Sequence, residues 1–374
     1  MDFELPSRGL VFWPVSNGDS TTVVVDSETY LQIDLNHLEK SDDDDDASWP
    51  VVDELVNRLP RVGDRPYLAS FALTHPDQDH CKGFTELLDR VEIGELWFTP
   101  RIFLEYKKDL CSDAAAFKQE AERRVHETIN ADGDPGSGNR VRVFGYSELL
   151  EEDEFEGFPT DRLAIPGTSI STIDETNVAN KFSAFVHAPF KDDEAGDRND
   201  TSLALQMSLY EESLKMCALM LGDLSYPVIN RIFDKSTPLD LEWNVLLAPH
   251  HCSKSSMYWK DDDEEQETLK EHIVDAMEEA SRSPNCVVSS SNKVPESNNK
   301  GDDPPHAKAK EQYETITESF LCTMDQDFPI VVQFSEQGID FKAESVVGVS
   351  ATEAANRAQG NQNAPTTPQT YGIR

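Results

Sequence analysis

The polarity of the chain changes period many times along its length. Short runs rich in β-branched and aromatic residues open it: Leu10-Val11-Phe12-Trp13, Ser20 to Val25 and Tyr30 to Ile33, set apart by Asn17-Gly18 and Asp26-Ser27-Glu28. They predict an antiparallel meander whose third strand delivers Asp34 at its end. Helical spacing follows over Val51 to Leu59 and stops at Pro60. The apolar run Tyr67 to Leu73 predicts a strand, Phe84 to Arg90 a helix and Glu95 to Phe98 a short strand. Ile102 to Ile129 reads as helical, Asp132 to Gly138 as a loop and Arg140 to Phe144 as a strand, while 145–180 is mixed, acidic and without a clear period. Strands are predicted again at Phe182 to Val186, Ser202 to Leu209, Leu214 to Leu221, Asn244 to Leu247 and Cys286 to Ser289. Helices are predicted near Pro227 to Phe233, Leu269 to Ala280 and Ala307 to Ser319, and Ile330 to Phe334 with Ile339 to Phe341 forms a closing hairpin. Beyond Ser350 the composition is that of a disordered tail.

Strands and helices are interleaved with no evident linker before residue 350. One α/β domain over residues 1–349 is therefore expected, with 101–160 as a helical and acidic insertion and 350–374 as the tail. No apolar run approaches the ~20 residues of a membrane span, and Met1-Asp2-Phe3-Glu4 lacks the basic and apolar regions of a secretory signal. The six cysteines carry no C-x-x-C pair, which fits neither a disulfide framework nor a thiolate zinc site. A reducing, cytoplasmic setting is the expectation, with Cys81 a small buried residue.

Charge narrows the partners. The formal net charge is -38, from 71 acidic against 33 basic residues. It is concentrated at Asp42 to Asp46, Glu151 to Glu156, Asp192 to Glu194 and Asp261 to Glu265. Such runs are ordinarily solvated loops. The balance argues against a broad basic groove for nucleic acid.

The chemistry gathers at strand ends. Thr74-His75-Pro76-Asp77-Gln78-Asp79-His80 follows the strand Tyr67 to Leu73 and precedes Gly83 and a helix. Two imidazoles and two carboxylates within six residues can wrap one or two divalent cations. The competing reading is a polar turn in which Asp77 or Asp79 caps a helix. Further metal-capable groups follow other strands: Asp34, Asp223 after Gly222, and His250-His251 after Ala248-Pro249. Strand ends gathered on one rim of a sheet make a site. His37, His126 and His272 lack companion ligands and are assigned surface or packing roles.

These segments resemble the metallo-β-lactamase superfamily. Val15 to Ser20 with Ile33-Asp34 is similar to its opening, and Thr74 to His80 to its H-x-H-x-D-H motif with Asp77 in place of the second histidine. Asn199 to Ser202, Gly222-Asp223-Leu224 and His250-His251-Cys252-Ser253 continue the pattern in order. Together they look like the ComEC-type branch, the nuclease-like domain of DNA-uptake proteins and its soluble relatives. The fold implied is a four-layered αββα sandwich with the site at the edge between two sheets.

The resemblance also implies roles. His75 and Asp77 would bind one metal, Asp79 and His80 the other, and Asp223 would bridge them, with His250 preferred over His251 to complete the second site. Asp79, His251 and His306 are the catalytic candidates, His306 competing with a helix-capping role. Asp34 is expected to orient a ligand. His187 falls near where many members place a third ligand of the first metal. Two divalent metal ions are implied, Zn²⁺ or, because Asp77 hardens the ligand set, Mn²⁺. Cys252 stands where the family usually has glycine, and Ser253, Ser255 and Ser256 either bind phosphate oxygens or cap a helix. A phosphodiesterase or nuclease is the implied activity, with nucleic acid or a nucleotide as substrate. Hydrolysis of another ester, thioester or amide is the alternative, and a non-catalytic metal-bearing regulatory subunit a third. The acidic runs also suggest a basic protein partner that would offset repulsion of a polyanion.

Overall fold

The computed structural model describes residues 3–38, 48–105, 110–131, 133–261, 263–297 and 303–343. The chain forms a mixed α/β structure with two large sheets. In the first, the strands run in the order Gly338–Lys342, Ile330–Ser335, Gly9–Phe12, Thr21–Val24, Tyr30–Ile33, Arg65–Leu73, Glu92–Phe98, Arg140–Phe144 and Leu163–Ala164. The expected meander is there, and the closing hairpin joins its edge by pairing with Gly9–Phe12. From Tyr30–Ile33 onward the neighbours are parallel. The second sheet has the order Phe320–Cys322, Ser281–Ser289, Trp243–Leu247, Leu214–Met220, Ala204–Glu211, Phe182–Ala188 and Ser169–Ile170. Its first four strands are parallel and the rest antiparallel.

Period-two alternation decides which way each strand faces. Leu10 and Phe12 join one apolar cluster while Val11 and Trp13 join another. In the second sheet Met216, Ala218, Met220, Val245, Leu247, Cys286 and Val288 share the cluster of Leu10 and Phe12, so both sheets contribute to one core. Leu219, Leu246 and Val287 turn to a third cluster with residues of the helices Tyr226–Lys235, Glu271–Ala280 and Ala307–Ile316. The helices Val51–Arg58, Phe84–Arg90 and Ser112–Asn130 pack with the Val11 and Trp13 face. Strands covered on both faces are near-continuous in apolar residues, as Trp243–Leu247 is.

Several boundaries differ from the expectation. The helix predicted over Ile102 to Ile129 is two, Arg101–Leu104 and Ser112–Asn130, the second starting where the Cys111 sulfur accepts from the Ala114 amide. Leu269 belongs to a two-stranded ribbon with Tyr258, so the next helix starts at Glu271. The last helix ends at Ile316, because Phe320–Cys322 is recruited as a parallel edge strand. Residues 145–180 hold single-turn helices and two-residue strands. The run Asp42 to Asp46 and the tail lie outside the described residues. Among the described residues no helix is long and apolar enough to cross a membrane.

Parallel pairing aligns the carboxyl ends of strands. Ile33 and Leu73 end side by side in the first sheet, and Met220, Leu247 and Ser289 in the second. The two rims are tied where the Leu203 amide donates to the Thr74 carbonyl at 3.0 Å. Every predicted metal ligand emerges from these ends.

Candidate metal centre

The loop after Leu73 is built by Asp34. Its buried carboxylate accepts from the Thr74 amide at 2.8 Å and the Thr74 hydroxyl at 2.6 Å, and stands 2.7 Å from His80 Nδ1. Asp34 holds a left-handed φ of 52°, so the carboxylate turns back over the strand end. With Nδ1 committed to Asp34, His80 directs Nε2 toward Asp223. These contacts fix the orientation of the His80 ring.

Asp223 follows Gly222, whose φ of 54° and close approach to Ser202 leave no room for a side chain; a Cβ there would lie 2.7 Å from Ser202 Cβ. The Ser202 hydroxyl in turn lies 3.3 Å from His75 Nδ1 and accepts from the Asp223 amide at 3.3 Å. The third element is the turn after Leu247. His250, His251 and Cys252 take φ values of 49°, 53° and 65° in succession. Left-handed geometry costs about 1–2 kcal/mol per non-glycine residue, so three in a row mark a conformation imposed by its surroundings. The His250 amide donates to the Gly222 carbonyl at 3.1 Å, and the Cys252 carbonyl accepts from the His306 amide at 3.1 Å.

Four histidines converge on one oxygen. Asp223 Oδ2 lies 3.4 Å from Nε2 of His80, 3.4 Å from that of His251, 3.7 Å from that of His250 and 3.8 Å from that of His75. Asp77 Oδ2 is 3.6 Å from His75 Nε2, and Asp79 Oδ2 is 3.3 Å from His251 Nε2. Most of these spacings exceed a hydrogen bond. They match two ligands of one tetrahedral cation, which sit about 3.3 Å apart for bonds of about 2.05 Å. The Nε2 atoms of His75, His80 and His251 and Oδ1 of Asp223 are buried with no protein hydrogen-bond partner. Buried polar atoms without partners are costly, and a divalent cation would satisfy this set. The buried group Asp19, His80, Asp223 and His251, with ligand atoms within 4.8 Å of one another, can hold a metal ion.

The charges reinforce this. Burial pushes His80 and His251 toward the neutral form, yet Asp223, with Asp34 for the one and Asp19 and Asp79 for the other, carries both well above the usual imidazole range. Burial would raise Asp223, but His251 and His80 hold it well below the usual carboxylate range. Asp77 is likewise held down against burial by His75 and by Arg198, which bridges it to Glu105. Burial pushes Asp34 up, and His80 opposes it. Protons on His80 and His251 thus occupy the lone pairs that a cation would take.

The residues predicted as ligands come together with two differences. His251 joins His80 and Asp223 in the buried group, where His250 was expected. The left-handed turn is the reason: it buries His251, fixing its Nδ1 3.0 Å from the Ser290 carbonyl, and leaves His250 the more exposed, with its side chain 26% accessible. Asp19 was not singled out as a ligand. It follows Gly18, where a Cβ would meet the Asp79 carbonyl at 2.7 Å, and its amide donates to that carbonyl at 3.2 Å. A carboxylate after Asn17-Gly18, in the turn just before the strand Thr21–Val24, was the available signal. Arg198 was missed as well. His187 stands apart from the cluster, its ring nitrogens at Ser236 Oγ (2.9 Å) and the Asp240 carbonyl (3.0 Å). His306 lies at the start of Ala307–Ile316, accepts from the Lys254 amide at Nδ1, and has a buried Nε2 without partner. Its ring caps no amide of that helix. Ser255 Oγ is 3.4 Å from His250 Nδ1, and Ser253 caps the single turn that follows.

No protein-family model matches this chain, and no curated protein matches it.

Proposed function

We propose that the chain is a metal-dependent hydrolase of phosphodiesters, acting on nucleic acid or a nucleotide, on the four-layered αββα frame of the metallo-β-lactamase superfamily. One observation carries the reading: four histidine Nε2 atoms surround a single buried carboxylate oxygen, three of them without a protein partner. One apolar cluster shared by both sheets and two outer clusters joined by helices support the frame. His75 and Asp77 would hold one divalent cation; Asp19, Asp79, His80 and His251 would hold another, with Asp223 common to both. Zn²⁺ and Mn²⁺ both suit this mixture of imidazole and carboxylate. Two such cations supply Lewis acidity toward phosphoryl oxygens and make water acidic enough to act near neutral pH.

The chain's own residues do the rest. Asp34 and the Ser290 carbonyl orient the imidazoles of His80 and His251 through Nδ1. Asp79, its side chain 41% accessible, stands at the mouth, where a carboxylate can take a proton from the attacking water. Arg198 sets a guanidinium on the same rim, able to meet a phosphate oxygen. Burial and the neighbouring Lys254 and Lys308 lower the His306 pKa, which favours the neutral ring; with Nδ1 accepting from the Lys254 amide, the proton sits on Nε2, which is suited to donate a hydrogen bond to substrate.

Charge sets the substrate's size. At a net charge of -38 a long duplex is repelled, which favours a small or single-stranded substrate. A basic partner gains little from Asp261 and Glu264, since both already hold Lys270, at 2.7 and 2.9 Å. The test loads the full chain with Zn²⁺ or Mn²⁺ and offers a generic aryl phosphodiester, single-stranded DNA, RNA and cyclic nucleotides beside a thioester and a β-lactam. Phosphodiester cleavage that disappears in Asp79→Asn, with an unchanged circular dichroism spectrum, is the expected result. Cleavage of the thioester or lactam alone replaces this reading with the other hydrolase. Metal binding without hydrolysis of any of them replaces it with a non-catalytic subunit.

A further inference from the structure

Six free cysteines lie in the described residues, and two of them meet. Cys81 Sγ and Cys111 Sγ are 3.6 Å apart, although 30 residues separate them in sequence. Cys81 is fully buried directly after His80, and its thiol donates to the Asp77 carbonyl at 3.1 Å. Cys111 is partly exposed at the start of the 19-residue helix Ser112–Asn130, where its sulfur accepts from the Ala114 amide at 3.4 Å. We propose that Cys81 and Cys111 form a redox-active thiol pair whose oxidation to a disulfide weakens metal binding at the adjacent His/Asp loop. The coupling to metal rests on the function proposed above; the thiol pair itself does not.

The two sulfurs are suited to different parts. Cys111 faces the solvent side, and contact with Cys81, opposed in part by burial, lowers its pKa to about 6. Helix-terminal amides stabilise a thiolate in the same direction. It is the attacking sulfur. Its thiolate attacks a low-molecular-weight disulfide such as oxidised glutathione; that S–S bond breaks and one glutathione thiolate leaves. Cys81 then gives up its proton and attacks the mixed disulfide at Cys111 Sγ, releasing the second glutathione. The balance is one protein dithiol and one oxidised glutathione converted to one protein disulfide and two reduced glutathiones.

Closing the pair has a cost at the loop. A disulfide needs its sulfurs about 2.05 Å apart, so the 3.6 Å gap must close, and Cys81 loses the proton with which its thiol donates to the Asp77 carbonyl. Asp77 and His80 flank that movement. The His80 amide shares the Asp77 carbonyl at 3.1 Å, and the His80 carbonyl receives the Leu35 amide at 2.8 Å.

The test equilibrates the full chain with reduced and oxidised glutathione, then maps disulfides by peptide mass spectrometry and titrates Zn²⁺ and Mn²⁺ into each form. The expected product is a Cys81–Cys111 cross-link, with accessible thiols in denaturant falling from six to four. Metal affinity of the oxidised form should fall about tenfold or more, the effect of disturbing a ligand's supports. Cys111→Ser, which keeps a good helix cap, should form no cross-link and show no oxidant effect on metal binding. A reduced chain that binds metal but yields no Cys81–Cys111 cross-link overturns the pair. A complete cross-link with unchanged metal affinity overturns the coupling. A reduced chain that binds no metal refutes the metal centre instead, and the cross-link still decides the thiol pair.

Discussion

Replacing Asp34 by asparagine is the most discriminating single change, because it keeps shape and removes one function. The carboxylate accepts at 2.8 Å from the Thr74 amide, at 2.6 Å from its hydroxyl and meets His80 Nδ1 at 2.7 Å. In Asp34→Asn the amide oxygen can stay on the Thr74 amide, which turns the NH₂ group toward the hydroxyl and His80. The hydroxyl can rotate and accept. His80 can accept only by moving its proton to Nε2, the atom that faces Asp223 at 3.4 Å. The variant thus presents the wrong tautomer to a metal. Supports of this kind are worth 10–100-fold in metal affinity, or about 1.4–2.7 kcal/mol. Loss of one hydrogen bond to a charged group should also lower metal-free stability by about 1.5–3 kcal/mol. Competition titration of Zn²⁺ against a chromophoric chelator reads the first quantity, and urea unfolding in excess chelator the second. Destabilisation with undiminished metal affinity would show that Asp34 only braces the loop, and the tautomer argument would fall.

Elemental analysis after loading should find near two equivalents of metal. One equivalent or less, with Asp223→Ala unchanged in stability and binding, would leave no binuclear site. Metal affinity should fall steeply on acidification, because His80 and His251, raised well above the ordinary value of about 6.5, must shed protons to bind; proton release on adding Zn²⁺ in weak buffer measures this. The metal-free chain should show the opposite linkage on the alkaline side. Stability from the raised histidines is present below about pH 6.5 and lost as pH rises through their folded values. Stability from the depressed Asp77, Asp79 and Asp223 is present above about pH 3.9 and lost as pH falls through their folded values, so a dome-shaped profile of melting temperature in chelator is expected. Gly222→Ala combines a left-handed φ with a Cβ 2.7 Å from Ser202, and should cost at least about 1–2 kcal/mol together with metal affinity. Wild-type values for both would mean that the Ser202 contact does not position His75 and Asp223.

Much of this protein is local in origin. Period-two runs of β-branched and aromatic residues and the 3.6-residue spacing of Val51–Arg58 or Phe84–Arg90 depend on near neighbours, so strands and helices were legible. So was the placing of His75, Asp77, Asp79, His80 and Asp223 just after strands, since a polar cluster ending an apolar run has few places in a sheet but its edge. What sequence could not decide depends on distant parts of the chain. Leu269 and Phe320–Cys322 follow strand partners rather than the helices that flank them. His250 and His251 are adjacent and chemically identical; only the left-handed turn, pinned by Gly222 and His306, selects which is buried beside His80. Asp19 reaches the cluster because Gly18 lets two backbones approach, a contact across 60 residues. Cys81 and Cys111 meet because a helix starts beside the metal loop. Composition and period set the elements, while long-range packing chose which side chains share a charge.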